Sequence, residues 1–568
     1  MNRLTGVLLW LTVVMTPTWV SAQTFPGGPI DNHDSERELV VDFRDGTSAS
    51  EVASVGDYYH IHFVANSAMA TDDGMYRVSV PANDEDSILS SLRNSALVEA
   101  ADENMTLYAD FVPNDPRYSE QWGLARVGTE SAWNTTCGRG AVVAVIDTGV
   151  ACENFGDFSV VTDLVGTRCV PGWNFVDGTA HANDDQGHGT HVAGTIAQAT
   201  NNGLGTAGVA YCATIMPVKV LSRTGSGSLA DVAEGIRWAA DHGANVANLS
   251  LGGGGHSKVM EQAVQYARNH GTVVICAAGN SGGSVGSPAN EDGAFAVSAI
   301  DSGDRIASFS SRGQEIDIAA PGVGILQQTI CENGRNHCEQ YASWSGTSMA
   351  TPHVAGVAAL IVSTGVTNPD VVERILRDTA THSSTGNVDP VLFGSGVVSA
   401  SGAVSASVLR HGFVRILVLF LLAFIMYFYI NSKKGTWSWG WLVPSLVVGV
   451  GFFPISLVVH RTFFPGAELL SRPILDWDIF FMGANTHNWL PLANLVMPLV
   501  LVGLGFSFSR FRSPIAGVSL GTASYLLASF WMNDTIPPFG RLAFTAWVLL
   551  NTAVCIWIAR IGIDKTVR

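Results

Sequence analysis

The sequence predicts an α/β fold: a mostly parallel sheet with helices on both faces, preceded by a small βαββαβ unit and followed by an all-α membrane region. Continuous apolar stretches at 141–146, 215–220, 245–249 and 272–276 alternate with helical stretches at 188–199, 229–242 and 257–269. Strands that are apolar throughout and alternate with helices form parallel sheets covered on both faces. The charge is divided just as sharply. Residues 1–408 hold 19 Lys+Arg and 43 Asp+Glu, a net −24, whereas residues 409–568 hold 12 and 5, a net +7. The last part also carries repeated apolar runs, each near the ~20 residues that span hydrocarbon. A chain of 568 residues with 14% charged residues and this split is not one soluble globule. Its overall charge of −17 excludes nucleic-acid binding through a basic face.

Residues 1–22 read as a secretory signal. Arg3 gives the positive start, Val7–Val14 is mostly apolar, and Val20-Ser21-Ala22 is a small-residue cleavage site. The run is short for a membrane anchor and is broken at Thr16–Pro17. Residues 38–109 read as strand (Glu38–Arg44), helix (Ser48–Val55), strand (Tyr58–Val64), strand (Gly74–Val80), helix (Asp84–Leu97) and strand (Val98–Tyr108). Tyr59, Ile61 and Phe63 alternate with Tyr58, His60 and His62, and Ile88, Leu89 and Leu92 stripe the second helix. The order βαββαβ is ferredoxin-like.

Three local motifs follow in the parallel part. Ala144-Val145-Ile146-Asp147-Thr148-Gly149 ends a buried strand with a carboxylate. His188 and His191, in Asp184-Asp185-Gln186-Gly187-His188-Gly189-Thr190-His191, open a helix. Ser348, in Ser345-Gly346-Thr347-Ser348-Met349-Ala350, opens another. Strand ends and helix starts converge at the carboxyl edge of such sheets. A hydroxyl needs an adjacent base to act as a nucleophile at neutral pH. Imidazole can take and return that proton, and a buried carboxylate fixes its tautomer. No Glu follows His188, as a zinc protease of the HExxH type requires.

These motifs resemble those of the subtilisin-like serine proteases, whose residues occur in the order Asp, His, Ser. The resemblance implies a subtilisin-like fold over 110–408 and a serine endopeptidase with Asp147 as the orienting acid, His188 as general base and Ser348 as nucleophile. No cofactor takes part in that chemistry, and the partners are protein or peptide substrates. Asn280, in Cys276-Ala277-Ala278-Gly279-Asn280-Ser281-Gly282, matches the family's side-chain oxyanion donor, and Phe393–Val398 its closing segment. Ser250-Leu251-Gly252 and Gly225-Ser226-Gly227 resemble the segments that pair with a peptide backbone. Small walls at Ala277–Gly279 and Ser281 imply a neutral, fairly apolar side chain in the substrate. Residues 23–109, chiefly 38–109, resemble the inhibitory propeptide, which implies the chain's own inhibitor, cut away near Tyr108–Asp110. Thr200–Thr206 resembles the family's structural calcium loop. It implies oxygen ligands from Asn202, from the carbonyls of Thr200, Leu204 and Thr206, and from Asp115 and Asp157 outside the loop.

There are 8 cysteines. Cys555 lies in an apolar run and Cys276 on a buried strand, and both read as unpaired. An exported chain allows disulfides among the other six. Cys331 and Cys338 bracket a short loop, Cys137 and Cys212 each precede a strand, and Cys152 and Cys169 flank one loop.

In 409–568 the apolar runs are 413–430, 439–459, 489–508, 514–532 and 542–561, with Trp437, Trp439, Trp441, Trp489, Trp531 and Trp557 near their ends. Lys433 and Lys434, Arg510 and Arg512, and Arg560, Lys565 and Arg568 follow alternate runs. The positive-inside rule puts those loops and the C-terminus in the cytoplasm. The expectation is a multi-pass protein of the cell membrane, seated in the lipid bilayer, with residues 23–412 periplasmic or extracellular. Arg461, Arg472 and Arg541 fall on the outer side. Segment 476–484 is too short to span and reads as an interfacial or re-entrant piece. The runs hold few ionisable residues, which favours an anchor over a transporter.

Overall fold

A computed structural model describes residues 36–67, 70, 74–81, 84–104, 111–331, 334, 340–381, 389–433, 439–453, 461, 464, 466–487, 496–537 and 540–567. The signal segment 1–22, the expected maturation region 108–110 and Cys338 lie outside the described residues, as do 454–459 of the second apolar run and 489–495 of the third. The chain forms two compact units, Met1–Ala109 and Asp110–Arg568.

The first unit runs β1 (Glu36–Phe43), α1 (Ala49–Tyr59), β2 (Phe63–Ala65), β3 (Met75–Pro81), α2 (Glu85–Arg93), β4 (Val98–Glu103). Its antiparallel sheet has the order β2-β3-β1-β4. Alternate positions Leu39, Val41, Val78 and Val80 meet Leu89 and Leu92 of α2 in its core. Ser48 and Glu51 close a capping box, and the helix they start runs on through Tyr58 and Tyr59. The aromatic alternation had placed those two residues in a strand. His60 ends the helix in the left-handed region, φ 57°, so β2 is three residues long.

The second unit opens with α3 (Trp122–Val127) and α4 (Thr129–Trp133). Its sheet contains β5 (Val142–Asp147), β6 (Arg168–Cys169), β7 (Trp173–Asn174), β8 (Thr214–Lys219), β9 (Val246–Leu249), β10 (Val273–Ala277), β11 (Phe295–Ile300) and β12 (Ile316–Pro321). The order is β12-β11-β10-β9-β5-β8-β6, with β7 also beside β8, and the pairs run parallel. Two apolar layers cover it. α6 (Leu229–Asp241) and α7 (Lys258–Asn269) supply one. α5 (His188–Ala197), α8 (Thr347–Ser363) and α9 (Pro369–Asp378) supply the other. A ribbon of β13 (Ile325–Gln328) and β14 (Tyr341–Trp344) leads into α8, and α10 (Pro390–Phe393) follows α9.

α11 (Ala400–Ser432) is one continuous helix of 33 residues. Ala400, Ala403 and Val404 belong to the core of the sheet domain, and the same helix continues into the apolar region without a linker. Then come α12 (Leu442–Gly449), α13 (Gly466–Leu470), α14 (Trp477–Met482), α15 (Ala484–His487), α16 (Val496–Gly505), α17 (Ser509–Met532) and α18 (Arg541–Val567). Among the described residues, three helices are long and apolar enough to cross a membrane: Ala400–Ser432, Ser509–Met532 and Arg541–Ile563. In the second expected run the helix stops at Gly449, and Gly451 follows with φ +73°.

Segment 466–487 packs on the amino edge of the parallel sheet, the edge opposite Asp147. Ala484 N donates to Gly140 O (2.8 Å) just before β5. Asn245 Nδ2 donates to Asn485 Oδ1 (2.9 Å) just before β9. Ile479 and Ala484 are fully buried in the sheet domain's own core. At the far end of α8, Thr136 Oγ1 donates to Glu468 Oε1 (3.1 Å), and Thr367 N and Asn368 N donate to Asp534 O (2.8 and 2.9 Å). The segment is tied to the long helices by buried polar groups: Arg415 donates to Asp476 (2.8 Å), and Tyr525 donates to the other oxygen of Asp476 (2.5 Å).

Candidate active site

Asp147 ends β5, His188 begins α5 and Ser348 lies in the first turn of α8, so the carboxyl edge of the sheet gathers all three. Asp147 is fully buried, and its Oδ1 is hydrogen-bonded to His188 Nδ1 (2.8 Å) and accepts from Thr148 N (2.7 Å). Burial pulls the imidazole's pKa down, but the Asp147 charge and hydrogen bond outweigh it and leave the pKa above 6.5. His191, one turn on, is buried and held down at about 4. Its Nε2 faces Ala342 O (3.0 Å) and its ring stacks on Trp344 at 4.5 Å. It is a neutral packing residue.

Two residues outside the expected set hold this corner. Buried Asp184 accepts from Thr148 Oγ1 (2.9 Å), Gln186 N (2.9 Å), Gly187 N (2.9 Å), Thr190 N (3.0 Å) and Thr190 Oγ1 (2.6 Å). It thereby fixes the turn that delivers His188. Lys219, buried at the end of β8, donates to Thr148 O (2.6 Å), Asp185 Oδ1 (2.7 Å) and Leu221 O (3.0 Å). A charged residue in an otherwise apolar strand was the signal for Lys219, and Asp184 stood in the quoted His motif.

Ser348 Oγ donates to Ser250 O (3.0 Å), and Ser250 Oγ donates to Ser348 O (2.8 Å). The hydroxyl must turn from Ser250 to reach an imidazole, as is common before a substrate binds. Asn280 Oδ1 accepts from Thr347 N (2.8 Å) and Thr347 Oγ1 (2.9 Å), which turns its amide nitrogen outward. A Cβ added at Gly346 would stand 3.4 Å from Asn280 Nδ2 and 3.6 Å from Ser348 N. Two N–H donors therefore flank one small space beside the hydroxyl, a geometry that stabilises a developing oxyanion.

Ser250 follows β9 and is buried, Leu251 is half-buried, and Gly252 is exposed. Gly225, Ser226 and Gly227 are exposed in the loop after β8, where Ser222 N donates to Ser226 O (2.9 Å). β9 and β8 flank β5 on either side, so the two segments stand on either side of the Asp147 strand. Ala277 and Ala278 are buried, and Ser281 Oγ lies 3.3 Å from Ser311 Oγ.

The 200–206 loop faces two buried carboxylates. Asp115 accepts from Asn201 N (2.6 Å) and Asn202 N (3.4 Å). Asp163 accepts from Asn202 Nδ2 (3.0 Å) and Thr206 N (2.9 Å). Asn202 Oδ1 accepts from Leu204 N (2.8 Å), and Thr200 Oγ1 donates to Gln198 O (2.9 Å). Asp157 is not there. It is exposed on a turn closed by Phe155 and Phe158, and the second carboxylate that contacts the loop is Asp163. Burial raises the pKa of both Asp115 and Asp163, and their mutual repulsion adds to that of Asp163. An oxygen-only set with two unneutralised carboxylates fits calcium.

Cys137–Cys212 and Cys152–Cys169 are disulfides with Cα–Cα distances of 5.2 and 6.6 Å. Cys331 is disulfide-bonded. Cys276 and Cys555 are buried free thiols, and burial pushes the Cys276 thiol up.

A hydroxyl beside paired amide donors, and an imidazole fixed by a buried acid, define a serine hydrolase built on a parallel α/β sheet. A family model described as the Subtilase family matches residues 138–396. The "Thermophilic serine proteinase" of Bacillus sp. (strain AK1) is 41% identical over 355 residues, 61% of this chain and 83% of that protein. Thermitase of Thermoactinomyces vulgaris is 43% identical over 278 residues, 49% of this chain and 94% of that protein. Among solved structures, fervidolysin from Fervidobacterium pennivorans is 28% identical with a TM-score of 0.47, covering 65% of this chain and 61% of that one. The chain belongs to the subtilase family and is a subtilisin-like serine endopeptidase.

Proposed function

We propose that this chain is a membrane-anchored peptidase whose active site faces away from the cytoplasm. Ser348 is the nucleophile. His188 takes its proton, and Asp147 holds the imidazole with its Nδ1–H turned inward. Attack on the scissile carbonyl forms a tetrahedral oxyanion between Asn280 Nδ2 and Ser348 N. Its collapse transfers the proton from His188 to the leaving amine and leaves an acyl-enzyme. Water, deprotonated by the same imidazole, hydrolyses that ester. Substrate backbone pairs with Ser250–Gly252 on one side and Gly225–Gly227 on the other. The observation that carries this reading is the 2.8 Å bond between His188 Nδ1 and buried Asp147. Fluorophosphonate labelling tests it: wild-type chain should label and Ser348→Ala should not. Folded wild type that stays unlabelled would sink the assignment.

The finer features have separate support. Arg461, Asn485 and Asp534 all meet the sheet domain, whereas Lys433 ends α11, Arg510 and Arg512 begin α17, and Arg560 lies near the end of α18. These basic residues thus stand at helix ends away from the contacts with the sheet domain, which supports an inside-facing surface there. Of the three exceptions, Arg461 and Arg472 both face Glu468, at 3.8 and 2.8 Å, and Arg541 begins α18. Residues 23–109 serve as an inhibitory pro-segment removed before 111, and calcium is held by Asp115, Asp163, Asn202 and carbonyls of the 200–206 loop. Ser348→Ala should accumulate the uncleaved precursor on an immunoblot if maturation is autocatalytic.

A further inference from the structure

Three side chains outside the active site converge at the start of α7. His256 precedes the helix, Glu261 lies in its first turns, and Glu291 reaches it from the segment before β11. One donor atom from each lies within 4.8 Å of the other two. His256 Nδ1 is 2.5 Å from Glu291 Oε2, and His256 Nε2 is 3.5 Å from Glu261 Oε2. The Glu291 side chain is 0% exposed. Its Oε1 accepts from Ser257 N (2.8 Å) and Ser287 Oγ (2.6 Å), while its Oε2 accepts no aligned hydrogen bond and meets His256 Nδ1 as an ion-pair contact. A buried carboxylate oxygen is normally paired with a cation or bound to a metal, and a metal ion can take the place of the imidazole proton in such a pair. Glu261 Oε1 accepts from Lys258 Nζ (2.7 Å), and that lysine is largely exposed.

We propose that His256, Glu261 and Glu291 form a binding site for a divalent transition-metal ion of the zinc type. One imidazole nitrogen with two carboxylate oxygens is a borderline donor set that such ions prefer over calcium. The His256 side chain is 58% exposed, so positions remain open for water. The site has a consequence for the peptidase, and that part rests on Ser250–Gly252 being the substrate edge. Residues 252–255 are four consecutive glycines joining that edge to His256. Glycine backbone is the costliest to order, and Gly253 N donating to Ser287 O (2.9 Å) is a lone tie along it. A metal held by His256 and Glu291 pins the far end of this loop to the same 287–291 segment, and so steadies the edge that receives the peptide.

Full-length Ser348→Ala protein in detergent, with millimolar calcium present to fill oxygen-only sites, is titrated with Co2+. One equivalent should bind with visible ligand-field bands. His256→Ala should weaken that binding by at least tenfold, and Glu261→Gln should weaken it measurably. Equal affinity and spectrum in wild-type and His256→Ala background overturns the site. In the Ser348-intact enzyme, Zn2+ should lower KM for a peptide substrate several-fold, and not in His256→Ala. A KM that ignores zinc while cobalt binding depends on His256 overturns the clamp alone. The cobalt result does not need Ser348, so failure of the peptidase reading leaves it intact.

Discussion

At His188 two opposing effects meet, and their balance sets the pH range of activity. Burial disfavours the imidazolium, while the Asp147 carboxylate and its bond favour it and prevail. A base must be neutral to accept the Ser348 proton. A pKa raised above 6.5 therefore places the acid limb of kcat/KM above 6.5, with activity lost as pH falls through it. Asp147→Asn removes the charge and leaves the burial, so the limb should move below 6.5 while kcat falls by about 10⁴. A wild-type limb at or below 6.5 would contradict this balance. Asn280→Ala should lower kcat by about 10²–10³ with KM little changed, because its amide meets charge that exists mainly in the transition state. Motif spacing singles out Asp147, His188, Asn280 and Ser348, since each sits in a short local pattern, and the fold brings Asp147 and His188 into contact and sets Asn280 against the turn before Ser348. The contact of Asp163 with the 200–206 loop was not legible. Asp157 is exposed on the turn closed by Phe155 and Phe158, and the contact of Asp163 with Asn202 and Thr206 joins residues 39 and 43 apart, which no local pattern reports.

The elements of the parallel sheet were legible because their apolar runs are buried on both faces, as in β9 and β10, whose residues are all buried. Where an element ends was less so. Tyr58 and Tyr59 join α1 because the Ser48–Glu51 capping box starts a helix that nothing stops before His60, and aromatic alternation cannot report a cap upstream. At the 200–206 loop, burial raises the pKa of Asp115 and Asp163 in the absence of a cation. A raised folded-state pKa means that protonation stabilises the fold and that this contribution is lost as pH rises through it. Calcium relieves the cost by neutralising the carboxylates, so its stabilising effect should grow with rising pH through the carboxylate range. At a free concentration a hundredfold above Kd, binding contributes about 2.7 kcal/mol. EGTA should therefore lower Tm by several degrees at pH 8 and by less at pH 5, read by differential scanning fluorimetry. Equal shifts at the two pH values, or none, would remove calcium from this loop.

Across the whole molecule, the charge split at 408/409 marks a change of composition, but Asp110–Arg568 forms one compact unit and α11 runs straight through that point. That junction depends on pairs such as Asn245–Asn485 and Thr136–Glu468, which lie 240 and 332 residues apart. They form on the sheet's amino edge, while Asp147, His188 and Ser348 stand at the carboxyl edge, with α8 of 17 residues (about 25 Å) between. The apolar part therefore supports the peptidase from behind rather than merely tethering it. Ile479 is fully buried in the core that also holds Val143 and Val357. Ile479→Ala should cost roughly 2–5 kcal/mol, as cavity-forming substitutions do, and lower Tm accordingly. Because the change lies at the opposite edge, kcat/KM well below Tm should stay within twofold of wild type. A chain ending at residue 408 loses Ile479, Ala484 and the Asp534 contacts together. It should melt lower still and expose apolar surface to a fluorescent dye, with fluorophosphonate labelling retained only at low temperature. A truncated peptidase that melts with the full chain and labels equally well would show that the docked edge carries no stability, and would reduce residues 409–568 to an anchor.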